Sequence, residues 1–125
     1  MEETTTAPQT VVENYLEALK SRDVEKIVDF FAEDAVIHFM SGVFKGRDAL
    51  EEWHKDRFEA DMQIVSVKKM RTKGNKVTID GTITSNKLKA WKIGKLAGKA
   101  TFSIQDGKIQ ETKFSVRMYN PLAGF

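Results

Sequence analysis

Cysteine is absent from this 125-residue chain, which excludes disulfides, thiol nucleophiles and thiolate metal sites together. Histidine is almost absent. His38 and His54 lie sixteen positions apart, and even with Glu33 or Asp34 beside the first they make a weak ligand set. No metal and no other cofactor is therefore expected. No apolar run approaches the roughly 20 residues that a helical membrane span needs. The opening MEETTTAPQ has no basic or apolar signal segment, so residues 1–9 read as a flexible tail and the default location is the cytoplasm. Glycine-rich phosphate loops, serine triads, DNA-reading helical motifs, internal repeats and low-complexity tracts are missing as well.

What remains is enough for one domain with a real core, taken as residues 10–125. The net charge of +2 hides a strong asymmetry. Residues 1–67 hold 15 acidic and 7 basic side chains, whereas the rest holds 3 acidic and 13 basic. Ten of those cations fall between Lys68 and Lys99, where Asp80 is the only acid.

The order of periodicities gives the fold class. Val12, Tyr15, Leu16 and Leu19 share one helical face; Val24, Ile27, Val28 and Phe31 repeat it behind Asp23, an N-cap residue. The joint Ser21-Arg22-Asp23 is too short to let the helices separate. A strand is expected over Ala35–Met40, entered through Glu33-Asp34-Ala35, and a brief one at Val43-Phe44. A third helix over Arg47–Phe58 then carries Leu50, Trp53, His54 and Arg57 on one face. From Met62 onward the period changes to two. Ile64–Met70 and Lys76–Thr84 are joined by a turn at Thr72-Lys73-Gly74-Asn75, and Val77, Ile79, Gly81 and Ile83 share one strand face. A hairpin tip falls between Ser85 and Trp91. Asp106-Gly107 marks a last hairpin, with Phe114, Val116 and Met118 in phase beyond it. Helices first and long strands afterwards mean an α+β fold, a curved antiparallel sheet wrapped around three N-terminal helices.

The pattern VVxxYxxALxxxDxxxIVxxFAxDA over residues 11–35, followed by Gly42, Gly46, Ala49 and a helix with Trp53, resembles the nuclear-transport-factor-2-like superfamily, within it the SnoaL-like and ketosteroid isomerase-like branch. The resemblance implies a cone-shaped α+β barrel and a pocket between helices and sheet. It implies that Tyr15 donates a hydrogen bond to a ligand oxygen, and that His54 sits beside it as a second polar ring. It also places Phe39 at the general-base position and Ala100 near the second oxyanion donor. Neither can move a proton, so the isomerase mechanism does not carry over.

The expected pocket walls are Tyr15, Leu19, Phe31, Phe39, Trp53 and His54, with Phe58, Phe102, Phe114 and Val116. Such a pocket suits a flat hydrophobic small molecule, bound or acted on as a ketone by a weak isomerase or cyclase. Asp80, Arg57, Asp56 and Glu59 invite comparison with epoxide hydrolase-like members, but Asp80 lies on a threonine face that should point outward. The rival is a non-catalytic module in which Lys87, Lys89, Trp91, Lys92, Lys95 and Lys99 engage an acidic protein or nucleic acid. A homodimer through the outer sheet face is expected, as the superfamily resemblance implies.

Overall fold

The structure, a computed structural model, describes residues 7–39, 42–85 and 96–117, without the side chains of Leu96, Val116 and Arg117. Helix α1 spans Pro8–Leu19. It opens two residues inside the expected tail because Pro8 stands at the first helical position, where a missing N–H costs nothing. Val11, Val12 and Tyr15 are its buried face. Asp23 caps α2 (Val24–Val28), its side chain accepting from the Lys26 N–H at 3.4 Å.

Phe31 departs from the helix expected to hold it. It opens strand β1 (Phe31–Phe39) instead, because the C-terminal strand captures the backbone there: the Ile109 N–H bonds the Phe30 carbonyl at 2.8 Å. Strand β2 (Gly42–Lys45) pairs back on β1, and Gly46, at φ 91°, leads into α3 (Arg47–Glu59). Leu50, Trp53 and His54 form its buried face. Asp61, at φ 54°, closes α3 in a Schellman motif, with Met62 N–H to the Arg57 carbonyl and Asp61 N–H to the Phe58 carbonyl, both at 2.9 Å.

Strands β3 (Gln63–Lys73), β4 (Lys76–Thr84), β5 (Leu96–Gln105) and β6 (Lys108–Arg117) complete a curved six-stranded sheet in the order β2-β1-β6-β5-β4-β3. Asp106 and Gly107, at φ 53° and 77°, make the β5–β6 hairpin; positive φ at both central positions matches the right-handed twist of the strands. One pair departs from the all-antiparallel expectation. β6 returns across the sheet to lie parallel to β1, a pairing that a long crossover permits and no local turn signals. The tip between Ser85 and Trp91 falls outside the described residues after Ser85.

Curvature has a local cause. Against β4, strand β3 slips register twice, between Ile64 and Ser66 and between Val67 and Lys69. Each extra residue bends the strand and raises its twist. Gly81 makes room for this, since a Cβ there would meet the Ser66 carbonyl oxygen at 2.3 Å. The concave face thus produced receives α1, which contacts β3, β4, β5 and β6. The core between them joins Val12, Tyr15, Ile27, Ile37 and Leu50 to Val77, Phe102 and Ile109, all essentially without exposure.

Candidate functional site

The core does not close completely. A cavity of about 320 Å³ opens between α1, α3 and the concave face of β4, β5 and β6, within the range of small-molecule pockets. Phe39 and Trp53 do not fill it, although both line it. Phe39 packs edge-on to Trp53 at 5.5 Å, and Trp53 stacks on Phe114 at 5.2 Å with 13° between planes. Leu19, Phe58 and Phe102 line it too, with Ile79, Gly81 and Ile83 of β4. The shared face of those β4 residues is plain in the sequence; that this face meets a cavity is not. Phe31, expected as a wall, instead stands behind Tyr15 in the core, edge-on at 5.3 Å. The Val116 side chain and the segment from Lys87 to Lys95 lie outside the described residues.

Two polar side chains sit at the buried end. Tyr15 and His54 are both about 1% exposed, and the Tyr15 hydroxyl lies 2.9 Å from His54 Nε2. Their elements bring them together because each occupies the inward face of its helix, 39 residues apart in the chain. His54 Nδ1 lies 2.7 Å from the carbonyl of Leu50, one helical turn earlier. A carbonyl only accepts, so Nδ1 carries the proton. Burial first, and then the charge of Arg57, pull the His54 pKa down to about 4 against the opposing bond to Leu50. The ring is therefore neutral near pH 7, Nε2 is bare, and Tyr15 donates to it.

That direction changes the role expected of Tyr15. Its single proton is engaged by His54, and its remaining hydrogen-bonding capacity is as an acceptor. Burial also pushes the phenol pKa above its ordinary range, so the hydroxyl stays protonated and is no base.

Among the described residues no aspartate or glutamate lines the cavity. Phe39 and Ala100, the positions where resemblance implies acid–base groups, both line it. Asp80 pairs with Arg71 at 3.5 Å, and Asp56 and Glu59 are exposed, so the epoxide hydrolase comparison finds no inward carboxylate here. His38 engages Glu111 at 2.8 Å and Asp34 accepts from Gln110 at 3.0 Å. Among the described residues no three potential metal ligands converge, and no helix is long and apolar enough to cross a membrane.

A cone of helices in a curved sheet, with a ring-lined cavity and a buried polar pair, defines a pocket protein of the nuclear-transport-factor-2-like fold. The chain belongs to the SnoaL-like domain family, whose model matches residues 12–112. Among solved structures it is similar to SalBIII, an epoxide hydrolase/cyclase-like enzyme in pyran ring formation of the polyether salinomycin, with TM-score 0.78 and 23% identity over 89% of this chain and 91% of that one. A candidate ketosteroid isomerase from Kribbella flavida gives TM-score 0.76 and 18% identity over 91% and 81%. A nuclear-transport-factor-2-like protein from Anabaena variabilis gives 0.74 and 15% over 95% and 96%. No protein of curated function matches the sequence. Likeness at these identities concerns the fold, and function rests on the residues of the cavity.

Proposed function

We propose that this protein binds a flat, largely apolar small molecule in the cavity and orients it through the Tyr15–His54 pair. The observation that carries this is the hydrogen-bonded pair at the buried end of a ring-lined space of about 320 Å³. A ligand hydroxyl can donate to the Tyr15 oxygen without disturbing its bond to His54. A ligand ketone instead requires the Tyr15 proton to swing away, leaving His54 Nε2 unsatisfied at a cost of about 1–3 kcal/mol. The catalytic form of this reading is a weak isomerisation or cyclisation of a ketone-bearing ligand, with the Tyr15 hydroxyl turned from His54 to donate to the ligand oxygen; the structures named for cyclisation and isomerisation support it.

A thermal-shift panel of flat phenols and matched ketones tests the reading at low and high salt. A ligand at a hundred times its dissociation constant stabilises the fold by about 2.7 kcal/mol. Phenols should shift the midpoint more than ketones, independently of salt, and Tyr15→Phe should remove the difference. Absence of any hit at either salt concentration would overturn the reading.

A second reading is an assembly module. Lys68, Lys69, Lys73, Lys76 and Lys99 are exposed on neighbouring strands β3, β4 and β5, and such a basic row fits an acidic surface, including the acid-rich helices of a second copy. Sedimentation at low and high salt tests its self-assembly form: a species of dimer mass that dissociates as salt rises supports that form, and a monomer at all salts excludes it.

A further inference from the structure

Among the described residues, cations line the cavity and no carboxylate does. Lys20, Arg22, Arg57 and Lys99 border it. Three of these are accounted for. Lys20 Nζ lies 3.2 Å from Glu17, and Arg22 pairs with Asp61. Lys99 is exposed and alternates with buried Ala100, so its side chain belongs to the outer face of the sheet.

Arg57 is different. Its guanidinium carbon lies 4.8 Å from the ring centre of Phe39 and 5.3 Å from that of Trp53. Among the described residues its side chain makes no salt bridge and no hydrogen bond; Asp56, its chain neighbour, acts on it only through space. Aromatic faces hold a guanidinium in place but leave its N–H donors unused. A planar, partly exposed cation whose donors no described residue takes, set against two rings that line the cavity, is matched by a carboxylate on a flat body.

We propose that the ligand of this cavity is an organic acid, a flat apolar molecule whose carboxylate pairs with the guanidinium of Arg57. This rests on the reading of the cavity as a ligand pocket and adds the chemical class of the ligand. It assigns Arg57 as a binding residue at the end of α3, where the Schellman motif anchors its backbone through Met62.

Calorimetric titration with three probes of one shape, 2-naphthoate, 2-naphthamide and methyl 2-naphthoate, tests it. The wild-type protein should bind the acid about ten- to a hundredfold more tightly than either neutral probe. Arg57→Gln should bring the acid down to the level of the amide measured in the same variant, the acid-to-amide ratio being the readout. Arg57→Lys, which keeps the charge and loses the planar fork, should keep part of the preference, and it decides the matter if the glutamine variant does not fold. An amide bound as well as the acid by the wild-type protein overturns the anion proposal and leaves the pocket reading standing. So does a preference that persists unchanged in Arg57→Gln, or in Arg57→Lys. If none of the three probes binds, the pocket reading and this proposal fall together.

Discussion

Mild acid should destabilise this protein through one buried ring. His54 is held at a pKa of about 4 in the folded state, against an ordinary 6.5, chiefly by burial. Between those values the unfolded chain binds a proton that the folded chain does not. Stability therefore rises with pH across this window, is fully present above about 6.5, and is lost as pH falls toward 4. The whole gap corresponds to about 3 kcal/mol, and about 2 kcal/mol of it falls between pH 7 and pH 5. Urea unfolding at pH 7, 6 and 5 reads this as a midpoint shift of roughly 1 M.

The comparison protein is the double variant Tyr15→Phe/His54→Phe, which removes the titrating ring and strands no polar atom. It keeps His38 and every carboxylate, so the difference between the two pH profiles isolates His54. Wild type should lose about 2 kcal/mol more than the double variant over that interval. Parallel profiles would mean that His54 is already solvated or already charged in the fold, and the hydrogen-bond direction assigned to Tyr15 would fall with it.

Three further outcomes follow from the same geometry. Tyr15→Phe alone leaves His54 Nε2 buried without a partner and should cost about 1–3 kcal/mol in urea unfolding, whereas adding His54→Phe should cost much less than it does in the wild-type background. Gly81→Ala should cost about 2–4 kcal/mol, because its Cβ meets the Ser66 backbone oxygen at 2.3 Å and the paired strands must part. Gly107→Ala meets no atom within 4 Å but sits at φ 77°, so it should cost only about 1 kcal/mol; equal losses at the two glycines would refute this separation of steric from conformational causes.

The parts of this fold legible in the sequence are those fixed by neighbours along the chain. Asp23 signals its helix, Asp106-Gly107 its hairpin, and the spacing of Leu50, Trp53, His54 and Arg57 their common face. Phe31 misleads because it is in phase with the helix before it and with Ala35 and Ile37 of the strand after it; pairing with β6, far along the chain, decides between them. The bulges of β3 and the parallel docking of β6 on β1 are likewise settled between distant segments. Of the site, the meeting of Tyr15 with His54 follows the resemblance, but the direction of their hydrogen bond does not. That direction depends on the Leu50 carbonyl, four residues before His54, which fixes the tautomer. Arg57 is legible on the same face of α3, and the role proposed for it depends on there being no carboxylate among the described residues that line the cavity, which periodicity cannot show.

Phe39 bears directly on the ligand class proposed for the cavity. By resemblance it occupies the general-base position, and its ring centre lies 4.8 Å from the Arg57 guanidinium carbon. A carboxylate in that place would face the cation at a separation where opposite charges attract by about 4 kcal/mol near a protein surface, and Arg57 would be neutralised from within. Under the proposed reading, a phenylalanine rather than a carboxylate at this position is what leaves Arg57 open to an external acid. Phe39→Asp tests this coupling directly. It should abolish the preference for 2-naphthoate over 2-naphthamide with Arg57 still in place, whereas Phe39→Leu, which removes the ring and adds no charge, should retain it. If Phe39→Asp keeps the preference, the anion is held elsewhere and Arg57 is only a stacked side chain.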